Sequence, residues 1–363
     1  MINYGIIGCG MMGHEHLRNI ALLEGTNVSV IFEPNSGMAK SAATYEPNAR
    51  LVSSLDELLQ FPNLDCLVIT SPNYCHVEQM LRIAEQNPLP LLVEKPLFTS
   101  AEDQQAVLKF SKTYPALVWV AMEYRYMPPI AAFSKKVDFV TGGVKMLTIR
   151  EHRFPFLKKV GNWNRFNEKT GGTFVEKCCH FFDLMRLIIK SEPTRVMATA
   201  GQDVNHLDET YNGQVPDILD NGYVLLDFKN GARAMLELCM FAEGAIYQEE
   251  ISAVGPKGKL ETKVPGPGRF WPKELGTPPV PLLIESPRFS KRQKVSKLEI
   301  DPTILDAGDH NGATFYQHKK FLNMVKGHKN KPEVSLGDGY SAVIMGMAAQ
   351  ESAATGRAVQ FDD

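Results

Sequence analysis

Within eight residues of Met1, a short apolar run ends in Gly8-Cys9-Gly10-Met11-Met12-Gly13, and a segment of helical period from Met11 to about Leu23 follows at once. A G-x-G-x-x-G between a strand and a helix leaves little freedom in what the chain can build. Gly8 permits the tight turn, Gly10 lets backbone approach a pyrophosphate, and Gly13 lets the helix pack closely on its strand. The amides opening the helix at Met11 and Met12 then receive the anion. The expected module is a dinucleotide-binding Rossmann unit. At 363 residues the chain is too long for one such unit, so a second domain is expected.

Up to about residue 122, apolar runs alternate with helical periods, the form of repeated βαβ units and a parallel sheet. Expected strands are Tyr4 to Gly8, Val28 to Phe32, Arg50 to Ser53, Cys66 to Thr70, Leu91 to Glu94 and Leu117 to Ala121. Ser54-Leu55-Asp56-Glu57 has the form of a capping box, and Ser100 caps a helix running to about Thr113. Beyond Glu123 longer alternating runs take over, notably Leu147 to His152, Tyr223 to Phe228 and Ala232 to Met240. Asn230-Gly231 between the last two is a hairpin signal. The fold class expected is therefore α/β: a Rossmann domain over 1–122, then an α+β domain over 123–363 with a large, open, mainly antiparallel sheet. The stretch from Lys263 to about Asp301 lacks periodicity and reads as irregular. Helices are expected near Ala313 to Val325 and Gly339 to Ala354.

In an open parallel sheet, ligands sit beyond the carboxyl ends of the strands. Glu33 ends the second strand, where a carboxylate accepts from an adenosine ribose and repels a 2′-phosphate. NAD is favoured, and Lys40 on the next helix leaves NADP open. Ser71, Pro72, Asn73 and His76 follow the fourth strand and Glu94 and Lys95 the fifth, so all six join the expected cofactor contacts. Glu176 and His180 are four apart, neighbours on one helix face, a spacing that lets a carboxylate orient an imidazole. In that dyad His180 would take the hydroxyl proton of an alcohol while hydride leaves, and Lys95 would stabilise the developing alkoxide or carry the proton itself.

Composition narrows the partners. A net charge of −2, with 39 basic against 41 acidic residues, provides no field for nucleic acid. No apolar run approaches the length needed to span a bilayer, and Met1-Ile2-Asn3-Tyr4 lacks the pattern of a secretory signal. The six cysteines have no metal or disulfide spacing and read as reduced thiols, which places the protein in the cytoplasm. No metal is expected, since the histidines are scattered.

The glycine motif, Glu94-Lys95-Pro96 and Gly171-Gly172-Thr173-Phe174-Val175-Glu176-Lys177-Cys178-Cys179-His180 together resemble the glucose-fructose oxidoreductase, inositol dehydrogenase and rhizopine-catabolism (Gfo/Idh/MocA) family. The resemblance covers nearly the whole chain. It implies NAD(P)-dependent hydride transfer at a secondary alcohol or ketone of a sugar, inositol-like cyclitol or glycoside, with Lys95 and His180 around the reacting carbon. At the second acid the family usually carries Asp, whereas this chain has Glu176 followed by Lys177. The family architecture also directs Arg125, Arg153, Trp163 and Arg165 toward the substrate, and Lys177, which departs from the family pattern, is a further candidate for substrate contact. Two other functions stay open: a ligand sensor that binds the dinucleotide without turnover, and an NAD-dependent glycosidase. The outer face of the open sheet is rich in apolar residues, so a homodimer or homotetramer is expected.

Overall fold

The computed structural model describes residues 1–361. Six short strands form the first sheet: β1 Ile2–Ile7, β2 Thr26–Phe32, β3 Arg50–Val52, β4 Cys66–Ile69, β5 Leu91–Val93 and β6 Val118–Val120. Their order is β3-β2-β1-β4-β5-β6 and every pair is parallel. The order reverses between β1 and β4, so a crevice opens there at the carboxyl ends. β4 and β5 are buried on both faces, which explains why they read as unbroken apolar runs. Ser54 Oγ accepts from the Glu57 amide at 3.1 Å, while the Glu57 carboxylate reaches back to the Ser53 amide, one residue before the reciprocal partner expected.

The second half adds β7 Met146–His152, β8 Pro193–Gly201, β9 Asn221–Phe228, β10 Arg233–Cys239, β11 Tyr247–Val254, β12 Gly258–Pro265, β13 Leu282–Pro287, β14 Lys294–Lys297 and β15 Val359–Gln360. They form one nine-stranded sheet, β14-β13-β12-β11-β7-β10-β9-β8-β15. It is mixed rather than wholly antiparallel, because β7 and β10 run parallel at its centre. The hairpin between β9 and β10 forms as expected, with Gly231 at φ 79° and Asn230 Oδ1 accepting from the Ala232 amide.

Two expectations are corrected. The stretch after Lys263 is not irregular throughout: β13 and β14 extend the sheet edge. β14 is short and solvent-facing, so its sequence shows little of the burial that makes a strand legible. The segment carrying Glu176 and His180 is not one helix either. It forms Thr173–Glu176 and Cys179–Ile189, with the break at Lys177-Cys178. The amides of Phe181 and Phe182 both turn to the Cys178 carbonyl, so the four-residue spacing does not place Glu176 against His180.

The long helix Leu336–Thr355 starts on a full capping box of Ser335 and Asp338 and runs back across both halves. Near its start Gly339 lies against Val120, where a Cβ would meet side-chain carbons at 2.9 Å. Further on it meets the Gly171-Gly172 turn, where a Cβ on Gly172 would come within 2.2 Å of Gln350. That turn places the Glu176 segment against the nucleotide-binding half.

Candidate active site

The three glycines do three different things. Gly8 has φ 85°, and a Cβ there would lie 2.5 Å from the Ser71 amide nitrogen. A Cβ on Gly13 would come within 2.8 Å of the Gly8 carbonyl, whereas one on Gly10 meets nothing within 4 Å. The loop is therefore pressed onto the end of β4 at Gly8 and Gly13, and is open at Gly10, in front of the helix Met11–Ala21. No acidic residue stands in that helix's first turn, so its amides at Met11 and Met12 are free of a competing side-chain anion. The Glu33 carboxylate spans the mouth, accepting from the Cys9 amide at 2.6 Å and the Asn35 amide at 2.8 Å. Burial and Glu33 push the Cys9 thiol up to about 12, so it stays protonated. At the end of β4, Asn73 is buried with its Nδ2 unpartnered, and Ser71 and Pro72 are half-buried beside it. An open helix N-terminus with an orphaned amide across the crevice fits a dinucleotide.

His76 and Glu94 are turned elsewhere. His76 is fully buried, its Nδ1 2.8 Å from the Pro96 carbonyl and its Nε2 3.1 Å from that of Ser71, so it ties the ends of β4 and β5 together. Glu94 contacts His16 Nε2 at 2.9 Å, and His16 Nδ1 continues to His318 Nε2 at 2.7 Å, a buried polar chain behind the cleft.

Lys95 follows directly, across a cis bond to Pro96. Its Nζ donates to the Glu176 carbonyl at 3.2 Å, spanning the two halves. Burial alone would lower the ammonium, but Cys179 and the carboxylates of Glu94, Glu176 and Glu123 outweigh it, and its pKa stands above that of an ordinary lysine. His180 is 2% exposed and stacks on Tyr124 with centroids 4.1 Å apart and planes 6° from parallel. Its Nδ1 has no partner. Burial, then Lys95, Lys177, His310 and Arg153, hold it far below the usual imidazole range, so it is neutral. Lys95 is thus a fixed cation and His180 an uncharged hydrogen-bonding ring.

Of the residues expected at the substrate, Trp163 lies at the cleft. Its ring meets Tyr74 of the nucleotide-binding half edge-on at 6.1 Å, and Lys159 Nζ sits 4.3 Å over its face. Arg125 does not face the cleft: its guanidinium grips Asp183 with two nitrogens and donates a third bond to the Glu333 carbonyl. Arg165 is buried against Glu209 at 2.9 Å. Arg153 lies over the Phe154 ring, its Nη1 3.7 Å from Glu151. Lys177 is buried beneath Tyr124, donating to the tyrosine hydroxyl at 2.6 Å and pairing with Glu151 at 2.8 Å. Fork-shaped guanidiniums find carboxylates wherever the fold supplies them, which local sequence does not reveal.

Several site residues escaped the sequence reading. Glu151 and Glu249 are directly opposed on β7 and β11, both pointing inward. Their signal was there: each takes the buried parity of its strand, in line with Leu147 and Ile149 or Ile251 and Ala253. Burial and Glu151 push Glu249 up to about 7. Lys159 pairs with Glu176 at 3.0 Å, and nothing marked it apart from its neighbour Lys158. Glu15, Glu123 and His310 bring three potential metal ligands within 4.8 Å of one another. His310 Nδ1 lies 2.8 Å from Glu15, and the Thr314 hydroxyl sits between the two carboxylates, 2.7 Å from Glu15 and 2.9 Å from Glu123. Burial disfavours the His310 imidazolium, but Glu123 and Glu15 outweigh it and raise its pKa to about 10.

Residues 2–122 match the NAD-binding Rossmann fold of an oxidoreductase family, and residues 140–361 match its C-terminal alpha/beta domain. The chain belongs to the Gfo/Idh/MocA family. Among curated relatives, a myo-inositol 2-dehydrogenase of Thermotoga maritima is 23% identical over 99% of this chain and 98% of its own length. An uncharacterized oxidoreductase of Bacillus subtilis is 26% identical over 70% of this chain and 71% of its own. A 2,7-anhydro-N-acetylneuraminate hydratase of Escherichia coli is 24% identical over 65% and 61%. The myo-inositol dehydrogenase of Lactobacillus casei, solved with NAD(H) and myo-inositol, superposes with a TM-score of 0.75 at 21% identity, covering 100% of this chain and 97% of the other. This Gfo/Idh/MocA chain is accordingly an oxidoreductase with an NAD-binding Rossmann domain, and among its described residues no helix is long and apolar enough to cross a membrane.

Proposed function

We propose that this enzyme exchanges hydride between NAD and a secondary alcohol of a sugar, an inositol-like cyclitol or a glycoside. The observation that carries the reading is the convergence of Lys95, held as an ammonium on the Glu176 carbonyl, with the neutral His180 ring, beyond the open helix N-terminus at Gly10. A cation held where the carbinol oxygen gains charge lowers the barrier without reorganisation. An uncharged ring beside it can hold the hydroxyl. The bound nicotinamide supplies hydride acceptance, and the chain supplies orientation and electrostatics. Relatives named as inositol 2-dehydrogenases support the polyol class. Glu33, fixed by two backbone amides, leaves a negative charge where a 2′-phosphate would sit and so supports NAD over NADP. Lys95→Met and His180→Asn variants are expected to lose turnover while keeping NAD affinity; full turnover in both would refute the assignment.

Two further parts of the reading rest on separate observations. Met146, Met197, Tyr223 and Leu225 are each more than half exposed on the sheet strands, a face suited to self-association as a dimer or tetramer. Six free thiols suit the cytoplasm. A second reading, in which NAD is reduced and reoxidised within one turnover, is favoured by relatives named as hydratases. Product formation without net NADH would mark it.

A further inference from the structure

With the helix broken at Lys177-Cys178, Glu176 serves a different partner from the histidine. Its Oε1 accepts from Lys159 Nζ at 3.0 Å, and its main-chain carbonyl accepts from Lys95 Nζ at 3.2 Å, so one residue joins two lysines. Its second oxygen, Oε2, is buried without a partner. Lys159 is the more open member of the pair, its side chain 28% exposed against 3% for Glu176. Its place is fixed by the turn that follows, where Gly161 and Asn162 take left-handed backbone and the Asn162 amide donates to the Lys159 carbonyl. Trp163, under the ammonium, closes that turn against Tyr74 across the cleft.

We propose that Lys159, oriented by Glu176 and Trp163, is the group that exchanges the substrate's hydroxyl proton, with Lys95 the fixed cation and His180 a hydrogen-bonding wall. The inference rests on reading the cleft as an alcohol-oxidising site. In oxidation the carbinol C–H bond breaks and its electron pair passes to the nicotinamide of NAD. The O–H bond breaks, its electrons form the carbonyl, and the proton joins the Lys159 amine, whose ammonium lies against the Glu176 carboxylate. Reduction runs the same steps backward.

A proton left on His180 would stand among Lys95, Lys177, His310 and Arg153, and all four oppose it. The same proton on Lys159 is held by Glu176. The charged groups facing Lys159 are Glu176 on its short helix and Lys95 and Glu94 at the end of β5. Burial lowers the Lys159 ammonium, Glu176 and Glu94 raise it, Lys95 lowers it, and the balance falls below an ordinary lysine. Lys95 moves the opposite way. Two titratable groups of one kind, driven apart by their surroundings, divide into a fixed charge and a proton carrier.

The test has two arms. Lys159→Arg keeps the cation over Trp163 and the ion pair with Glu176, but a guanidinium does not release a proton below about pH 12. Expected are a fall in kcat for polyol oxidation of roughly 100-fold or more, loss of the ascending limb of the pH profile, and unchanged NAD affinity. The second arm needs no turnover: acetic anhydride labelling of Lys159, followed across pH by peptide mass spectrometry, in the wild type and in Glu176→Gln. Lys159 is expected to label at lower pH than the surface lysines, and at lower pH still once the carboxylate is gone. A Lys159→Arg enzyme with its kcat and ascending limb intact, or a Lys159 that labels like a surface lysine and is unmoved by Glu176→Gln, would overturn the proposal. If the wild type oxidises no polyol, the function reading fails on that ground and the labelling arm decides the Lys159–Glu176 pairing alone.

Discussion

Replacing Arg125 by Met separates a structural arginine from a substrate-binding one. Its guanidinium holds Asp183 through Nε at 2.5 Å and through a second nitrogen, with Asp338 3.6 Å away and the Glu333 carbonyl taking a third bond. The Arg125 side chain is 10% exposed and that of Asp183 1%, so the pair is screened little by water. Removing one partner strands a buried carboxylate, which typically costs about 3–5 kcal/mol. Burial already raises the Asp183 pKa, so the stranded group can take a proton, which places the cost toward the lower end of that range. At roughly 2 °C per kcal/mol for a chain of this size, Tm should fall by about 6 °C. The double variant Arg125→Met/Asp183→Leu should recover most of the loss, because a buried ion pair exchanged for apolar groups is often neutral. Calorimetry with and without NAD, beside KM for a polyol, reads both effects. A Tm within about 1 °C of the wild type together with a tenfold rise in KM would show that Arg125 binds substrate and refute this reasoning.

Other consequences can be read the same way. Gly10→Ala should fold normally, since its Cβ meets nothing within 4 Å, yet lose about tenfold to a hundredfold in NAD affinity if a pyrophosphate occupies that space; equal losses of stability in Gly10→Ala and Gly13→Ala, by calorimetry, would count against the assigned roles. The Glu15 and His310 pair predicts a stability profile with two slopes. His310 is raised from 6.5 to about 10 by Glu123 and Glu15 against burial, so its contribution is complete below pH 6.5 and disappears as pH rises through 10. Glu15 is lowered from 4.5 to about 2 by His310 and Thr314 against burial, so its contribution is complete above pH 4.5 and disappears as pH falls through 2. Thermal melts of His310→Gln should lack the slope between pH 6.5 and 10; an unchanged slope would dismiss the pair as a stabilising element. Leu225→Glu on the exposed sheet face should shift light scattering toward the monomer.

Much of this was legible in the sequence where local rules and tertiary structure agree. The glycine loop, the six parallel strands and the Asn230-Gly231 hairpin each depend on residues close in the chain, and each appears within a residue or two of its expected place. Where long-range partners decide, the sequence misleads. The regular spacing of Glu176 and His180 suggested one helix, but the close fit of Gly172 on Gln350 and the burial of Lys177 against Glu151 accompany a break between them. Glu94 and His76 stand at strand ends facing the crevice, and both turn to buried partners instead, His16 for one and the Pro96 carbonyl for the other. Lys159 lies beside Lys158 between Leu157 and Val160, with no periodicity to mark it, and the turn at Gly161-Asn162 brings it onto Trp163 and Glu176.

The central claim is tested most directly by mixing the purified protein with NAD, and separately with NADP, and following the absorbance of reduced nicotinamide across inositols, aldoses and glycosides. The account predicts turnover with NAD on at least one polyol and weaker turnover with NADP because of Glu33. Silence across the panel with NAD demonstrably bound would contradict it.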